Sequence, residues 1–499
     1  MYRSRTLTIV LLTALLLSSC SLFNKKENDN VSSTTGWEYN NPDNGGFEVL
    51  TGAEQATGPG LVLIEGGVFR MGRVQQDVMF DWNNIPRTVT VSSFYMDETE
   101  VRNVDYREYL FWLRRVYVSY PEVYTRALPD TLVWRSPMGF NDPYVQYYFR
   151  HPAYNQYPVV GVTWTQANDY CLWRTDRVNE QILIDEGELN YDPNQTDEKN
   201  FNTDAYLAGQ YEGVVNQLRP SLSGDQTERR TNFEDGILLP RYRLPTEAEW
   251  EFAAYGLRGN TFEERIYERR IYPWDGHNVR NSSNRNRGLM MANFVRQRGD
   301  MMGVAGSLND NGAITVDVKS YWPNDYGLFC MAGNVNEWVL DVYRPLTSID
   351  EDEFNPFRGN VYTDLARDAN GQVLQKDRLG RLIIDTVKPA DVADRYNYRR
   401  GDYRNYRDGD PKTSIVSSDW LNTDETEAES TGKMYSQDVN NNDFTTLIND
   451  NARVYKGGSW KDRAYWLNPS TRRFLDQDAA RDDIGFRCAM IRVGSPSGF

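Results

Sequence analysis

Histidine is almost missing from this chain: among 499 residues there are two, His151 and His277. A three-histidine metal centre is thereby excluded, and a Ser-His-Asp triad has only two imidazoles to draw on, both in Pro- or Gly-containing loop contexts. Cysteine is nearly as scarce, at four residues: Cys20, Cys171, Cys330 and Cys488. Basic charge is in deficit. The formal net charge of -16 argues against nucleic acid, whose recognition needs a basic stripe, and against adhesion to anionic lipid. Beyond the N-terminus there is no long apolar run, so nothing downstream reads as a membrane span. Aromatic side chains, by contrast, are abundant: 13% of the chain, with 32 Tyr and 13 Trp. Flat rings that carry a polar handle suit a loop-rich fold held by ring packing and hydroxyl hydrogen bonds.

The N-terminus has the pattern of an export signal. Arg3 and Arg5 precede an apolar stretch at residues 8–17 that is too short to cross a bilayer, and Leu17-Ser-Ser-Cys20 places small residues before a cysteine. The pattern predicts a lipoprotein signal over residues 1–19, lipidation of Cys20, and a polar, flexible tether over residues 20–58. Ser21 stands where an inner-membrane retention signal carries Asp, which favours the outer membrane, with the lipid-anchored protein on its periplasmic face. With Cys20 acylated, three thiols are left in a compartment that permits disulfides, enough for one bridge and one cysteine over.

Residues 59–499 read as one domain of mixed elements. Leu61-Val-Leu-Ile64 and Val68-Phe-Arg-Met71 flank Gly66-Gly67 as two short strands around a turn, and the alternation over residues 87–95 predicts a third strand. Asn103 is placed to cap a helix whose Tyr106, Leu110 and Leu113 share a face. Thr163 and Gln166 form a capping box for a second helix that turns Ala167, Tyr170 and Cys171 inward. In the third, Thr246 and Glu249 form the box, Trp250, Ala253 and Ala254 face inward, and Gly256 ends the helix. Two long stretches interrupt this series, at about 178–240 and 344–450. The second contains Asp350-Glu-Asp-Glu353, Asp424-Glu-Thr-Glu427 and an alternating Tyr/Arg run from Tyr396 to Arg407, a composition that resembles interface surface.

Taken in order, Arg243-Leu-Pro-Thr-Glu-Ala-Glu-Trp-Glu251, Tyr272-Pro-Trp274, Asn324-Asp-Tyr-Gly327, Gly333-Asn-Val-Asn-Glu-Trp338, Gly457-Gly-Ser-Trp460 and Gly485-Phe-Arg-Cys488 resemble the successive motifs of the formylglycine-generating-enzyme (sulfatase-modifying factor) family. The resemblance implies an α+β fold related to C-type lectins, with long loops and, here, two large insertions. Residues 71–86, the run at 401–410 and Tyr455-Lys-Gly-Gly-Ser-Trp460 with its continuation to Trp466 are further similar to a lipoprotein branch of gliding motility and type IX secretion, the GldJ, GldK and PorK group, the GldJ type most of all.

Family enzymes oxidise a substrate cysteine at a copper ion held by two thiolates in a Cys-x4-Cys spacing. The matching positions in this chain are Asp462 and Leu467, and neither can replace sulfur for a soft ion, so the resemblance implies a pseudoenzyme with no catalytic residue. It further implies a disulfide between Cys171 and Cys488, with Cys330 left as a core residue. A calcium ion is implied through Gly333, Val335 and Glu337, and a second through Asn293 and Asp310, although Cys330 stands where an oxygen ligand is expected. The expected function is a non-catalytic outer-membrane lipoprotein, a structural component of the secretion and motility machinery that binds its protein components and no nucleic acid. Lectin-like binding of glycan or peptide is the alternative, and a copper-dependent cysteine oxidase ranks last.

Overall fold

The structure is a computed structural model, and it describes residues 30–50, 54–73, 83–136, 140–222, 228–267, 269–296, 312–343, 363–386 and 451–494. Cys20, Asp310 and the acidic and Tyr/Arg runs of the second insertion lie outside the described residues. Among the described residues no helix is long and apolar enough to cross a membrane.

The chain divides into two compact units. One comprises Met1–Glu54, Leu183–Asn190 and Val214–Leu238; the other Gln55–Ile182, Tyr191–Gly213 and Leu239–Phe499. In the first unit, residues 30–50 depart from the tether expected of them. Val31 and Glu38 form a β-bridge, and Pro42–Asn44 form a 3-10 turn whose Asn41 side chain accepts from the Asp43 amide. Glu48 receives Arg229 at 2.6 Å, and the same guanidinium reaches Asp235 at 2.7 Å. The signal overlooked was a carboxylate whose partner lies far along the chain, which no local pattern reveals.

The second unit carries two four-stranded sheets. Strands β1 (Leu61–Ile64), β2 (Gly67–Met71), β3 (Arg87–Val91) and β4 (Phe94–Asp97) come first. The segments flanking Gly66-Gly67 do not pair with each other: β1 pairs with β4 and β2 with β3. Gly66 is where the chain passes between the two pairings, and a Cβ there would sit 2.3 Å from the Val91 carbonyl oxygen. Later strands are β5 (Tyr242–Arg243), β6 (Asn336–Val342), β7 (Thr363–Leu365), β8 (Ile384–Thr386), β9 (Ala452–Lys456), β10 (Arg473–Asp476), β11 (Ile484–Gly485) and β12 (Ala489–Ile491). One sheet has the order β1-β4-β12-β5 and the other β10-β9-β6-β11, with only β11 running parallel to its neighbour β6.

Of the helices among the described residues, three are those expected from the sequence, and each starts where its polar sequence dictates. Helix α1 (Asn103–Val116) is opened by Arg102, whose backbone N–H and guanidinium both donate to Asp105, so Asn103 is the first helical residue and not the cap. Its amide instead donates to the Tyr148 and Tyr154 carbonyls. Helix α2 (Trp164–Asp185) has the expected box, with Thr163 N–H on Gln166 at 2.9 Å and the return bond at 3.1 Å, and it runs past the point where the first insertion was expected to begin. Helix α3 (Glu247–Tyr255) is capped by Thr246 and Glu249 and ends at Gly256, φ 57°.

The described parts of the two insertions meet within this unit. Gln210 accepts from the Lys376 amide at 2.8 Å and donates to the Leu374 carbonyl at 3.0 Å. Asn200 donates to the Leu379 carbonyl, which also receives the Tyr117 hydroxyl at the end of α1.

Candidate functional site

The chain turns sharply after β9. Gly457 and Gly458 have φ of 103° and 70°, and a Cβ on Gly458 would meet the Trp466 carbonyl oxygen at 2.7 Å, so this turn accepts only glycine. It delivers Ser459 and Trp460 to the interior. Trp460 stacks on Trp134 with ring centroids 5.8 Å apart and donates its indole N–H to the Asp482 carbonyl.

Asp462 follows, and its carboxylate is fully engaged. The Arg473 guanidinium from β10 forks onto both oxygens at 2.8 Å, the Ser459 hydroxyl donates at 2.7 Å, and the Asn336 amide at the start of β6 donates at 3.2 Å. Burial pushes the Asp462 pKa up, but the Arg473 fork outweighs it and holds the group below the ordinary aspartate value. Arg473 is itself sandwiched, 4.3 Å above the Trp466 ring and 4.9 Å from that of Tyr455. Leu467, at the second position, is wholly buried in an apolar cluster with Met290, Ala292, Phe294 and Ala332. The pair of positions therefore holds an ion-paired carboxylate and a hydrocarbon, a donor set with no soft ligand for copper.

Beside it, Asp483 is bound by Arg481 at 2.9 Å. Behind the turn lies a second, fully buried charge network. Lys456 reaches Glu251 at 2.8 Å and Glu247 at 3.2 Å, and Arg472 reaches Glu247 at 2.9 Å. Two cations against two carboxylates leave no net charge, and the Ser470 hydroxyl and Gly72 amide further satisfy Glu251. None of these partners was read from the sequence. Charged residues at the turns and in the Arg472-Arg473 doublet look like solvated surface until the sheet folds them inward.

The calcium expectation meets a different arrangement. Glu337 is clamped by Arg487, Nη2 to Oε1 at 2.6 Å and Nε to Oε2 at 2.7 Å, and the Trp250 indole donates to Oε2 at 2.7 Å. Both oxygens of Glu337 are thus already engaged beside a cationic guanidinium, so Glu337 as arranged does not fit calcium. Asn293 donates to the Ile314 carbonyl, while its side-chain oxygen is buried without a hydrogen-bond partner among the described residues. No cluster of three or more His, Cys, Asp or Glu suited to a metal occurs among the described residues.

Next to this clamp stands Glu100, which sequence reading did not single out. One of its oxygens accepts from Asn334 at 3.0 Å, and the other is buried without a hydrogen-bond partner. Burial raises its pKa well above the ordinary value; Arg487 opposes the shift and Glu337 adds to it.

Cys171 on α2 and Cys488 before β12 are brought together, as two buried thiols with sulfurs 3.4 Å apart. The expected partners are adjacent; the bond between them is not formed in this structure. Cys330 is buried, as expected, with its thiol directed at the Val318 carbonyl, and burial pushes its pKa up.

Comparison with known proteins places this geometry. The Sulfatase-modifying factor enzyme 1-like domain matches residues 46–381. The chain belongs to the sulfatase-modifying factor family. Mouse formylglycine-generating enzyme is 23% identical over 320 residues, 59% of this chain and 61% of that protein. The bovine inactive C-alpha-formylglycine-generating enzyme 2 is 24% identical over 369 residues, 68% of this chain and 86% of that one. The solved structure of Treponema denticola variable protein 1 is 18% identical and covers 86% of this chain and 94% of its own, with a TM-score of 0.36. As a member of the family the chain has its α+β fold, and the family match ends before Asp462 and Leu467.

Proposed function

We propose that this chain is a non-catalytic member of the sulfatase-modifying factor family, an outer-membrane lipoprotein that serves a type IX secretion and gliding-motility machinery as a structural component through protein–protein contacts. The observation that carries the non-catalytic part is the engagement of Asp462 by Arg473, Ser459 and Asn336, with Leu467 buried in hydrocarbon. A carboxylate held below its ordinary pKa is neither a free base nor a soft ligand. The existence of relatives named as inactive enzymes supports the same reading. The lipoprotein address rests on Arg3, Arg5, the apolar run and Cys20, and the assembly role on the motif similarities around residues 71–86 and 455–466.

Two experiments test it. Copper-loaded protein incubated with cysteine peptides yields no formylglycine; turnover would overturn the non-catalytic reading. Detergent-solubilised, lipid-anchored protein recovered from envelopes brings down secretion and motility components, and recovery of saccharide without any of these proteins would overturn the assembly role.

A further inference from the structure

The chain is strongly acidic, yet residues 276–296 contain Arg280, Arg285, Arg287 and Arg296 and no Asp, Glu or Lys. The first three arginines sit on an ordered hairpin. Asn281 and Leu289 pair (N to O 2.8 Å), Gly288 returns to the Asn281 carbonyl at 3.0 Å, Met291 donates to Val279 at 2.9 Å, and Arg280 bridges Met290. An Asn281 side-chain bond to the Ser283 amide fixes the tip. The base is apolar: Met290, Ala292 and Phe294 share their cluster with Leu467, and Val279 and Trp274 pack against it. The residue that occupies the second thiolate position thus anchors the hairpin.

Arg280, Arg285 and Arg287 are all exposed, as is Arg463, whose backbone bridges Val295. Among the described residues none of these four makes an ion pair. Arg280 donates to the Gly288 carbonyl and Arg287 to Asn284, which orients the guanidinium groups without neutralising them. Leu289, paired with Asn281 across the hairpin, is 50% exposed, and Trp274, stacked on Tyr272, is half-buried at the base. Exposed arginine with an aromatic ring and a leucine is the composition of protein contacts. The exclusive use of arginine favours two-pronged recognition of carboxylates over diffuse attraction. The charge of -16 on the whole chain opposes approach to an anionic lipid surface.

We infer that the 279–291 hairpin, with Arg463 beside it, is the docking surface for an acidic segment of a protein partner. This rests on the protein-contact reading above and gives it a location and a charge class. The test is fluorescence anisotropy of a short fluorescein-labelled Asp/Glu peptide with the full lipidated chain in detergent. Phosphatidylglycerol vesicles form the parallel arm. Wild type binds the peptide; R280Q/R285Q/R287Q weakens binding about tenfold or more, and R280K/R285K/R287K does so less, because lysine retains charge and loses the fork. The control R126Q/R150Q/R367Q, equally exposed arginines elsewhere, stays within about twofold, and added salt weakens wild type most. Absence of peptide binding, equal loss in the control, or hairpin-dependent binding to vesicles in preference to peptide overturns the inference. Near-UV circular dichroism of each variant verifies the fold. If the envelope pull-down recovers partners equally with wild type and the glutamine triple, the docking surface falls and the assembly reading stands. If peptide binding depends on the hairpin while the pull-down recovers none, the reverse holds.

Discussion

Replacing Asp462 by Asn tests whether this position is a structural joint. The substitution keeps one acceptor oxygen and nearly the same volume, so the change is one of charge and hydrogen-bond polarity. It leaves the Arg473 guanidinium, whose side chain is 16% exposed, without its carboxylate and sets an amide N–H against a donor. Removing one partner of a buried pair costs about 3–5 kcal/mol; with Asp462 12% exposed and some water at hand, about 2–4 kcal/mol is the expected loss. The assay is equilibrium unfolding in urea of wild type and D462N across pH. Asp462 has a folded pKa below its unfolded one, so its contribution is fully present above the ordinary aspartate range and is lost as pH falls through the folded value. The gap between the two proteins is therefore constant above about pH 5 and closes in acid. A loss under about 0.5 kcal/mol at neutral pH would refute the joint. A gain in stability would refute it more sharply, since strained functional sites are the places where such substitutions stabilise.

Three further outcomes follow from the same geometry. Burial raises the Glu100 pKa, so its folded form keeps a proton that the unfolded chain releases, and stability is lost as pH rises from the ordinary glutamate value towards the raised one. E100Q, which retains an acceptor for Asn334, gains on wild type over that window in pH-dependent melting; a constant difference across pH would contradict it. Leu467→Ala costs about 2–5 kcal/mol in urea unfolding and loosens the 279–291 hairpin in hydrogen exchange, whereas a loss confined to stability would detach the hairpin from its base. On the proposed lipoprotein address, which acylates Cys20 and exposes the chain to an oxidising envelope, the purified protein shows one titratable thiol when denatured without reductant and three after reduction; three in both states would exclude the Cys171–Cys488 bridge.

What could be read from the sequence was local. The boxes at Thr163/Gln166 and Thr246/Glu249 are satisfied within four residues of chain, and they appear in the structure as read. The helix start at α1 failed because Asn103, a good cap by residue type, has a better use for its amide at Tyr148 and Tyr154. The strands around Gly66-Gly67 were legible but not their pairing, since β1 finds β4 about thirty residues on and β2 finds β3 about twenty residues on. The tether failed for the same reason: Glu48 finds Arg229 only after the chain has folded. The cysteine pairing came from family resemblance, and the fold brings those two thiols into contact.

Most charged groups that the fold buries near Asp462 are answered by a partner of opposite charge. Arg473 answers Asp462, Arg481 answers Asp483, Arg487 answers Glu337, and Lys456 with Arg472 answers Glu247 and Glu251. Glu100 departs from this pattern: burial raises its pKa, and the Arg487 guanidinium that opposes the shift is already committed to Glu337. An active site works the other way, keeping groups unpaired so that substrate or metal completes them. Around Asp462 completion is internal. Unneutralised charge lies outward, at Arg280, Arg285 and Arg287 on a hairpin whose base is packed by Leu467 and at Arg463 beside it. Cysteines introduced at 462 and 467 would remove both the Arg473 clamp and the hairpin's anchor.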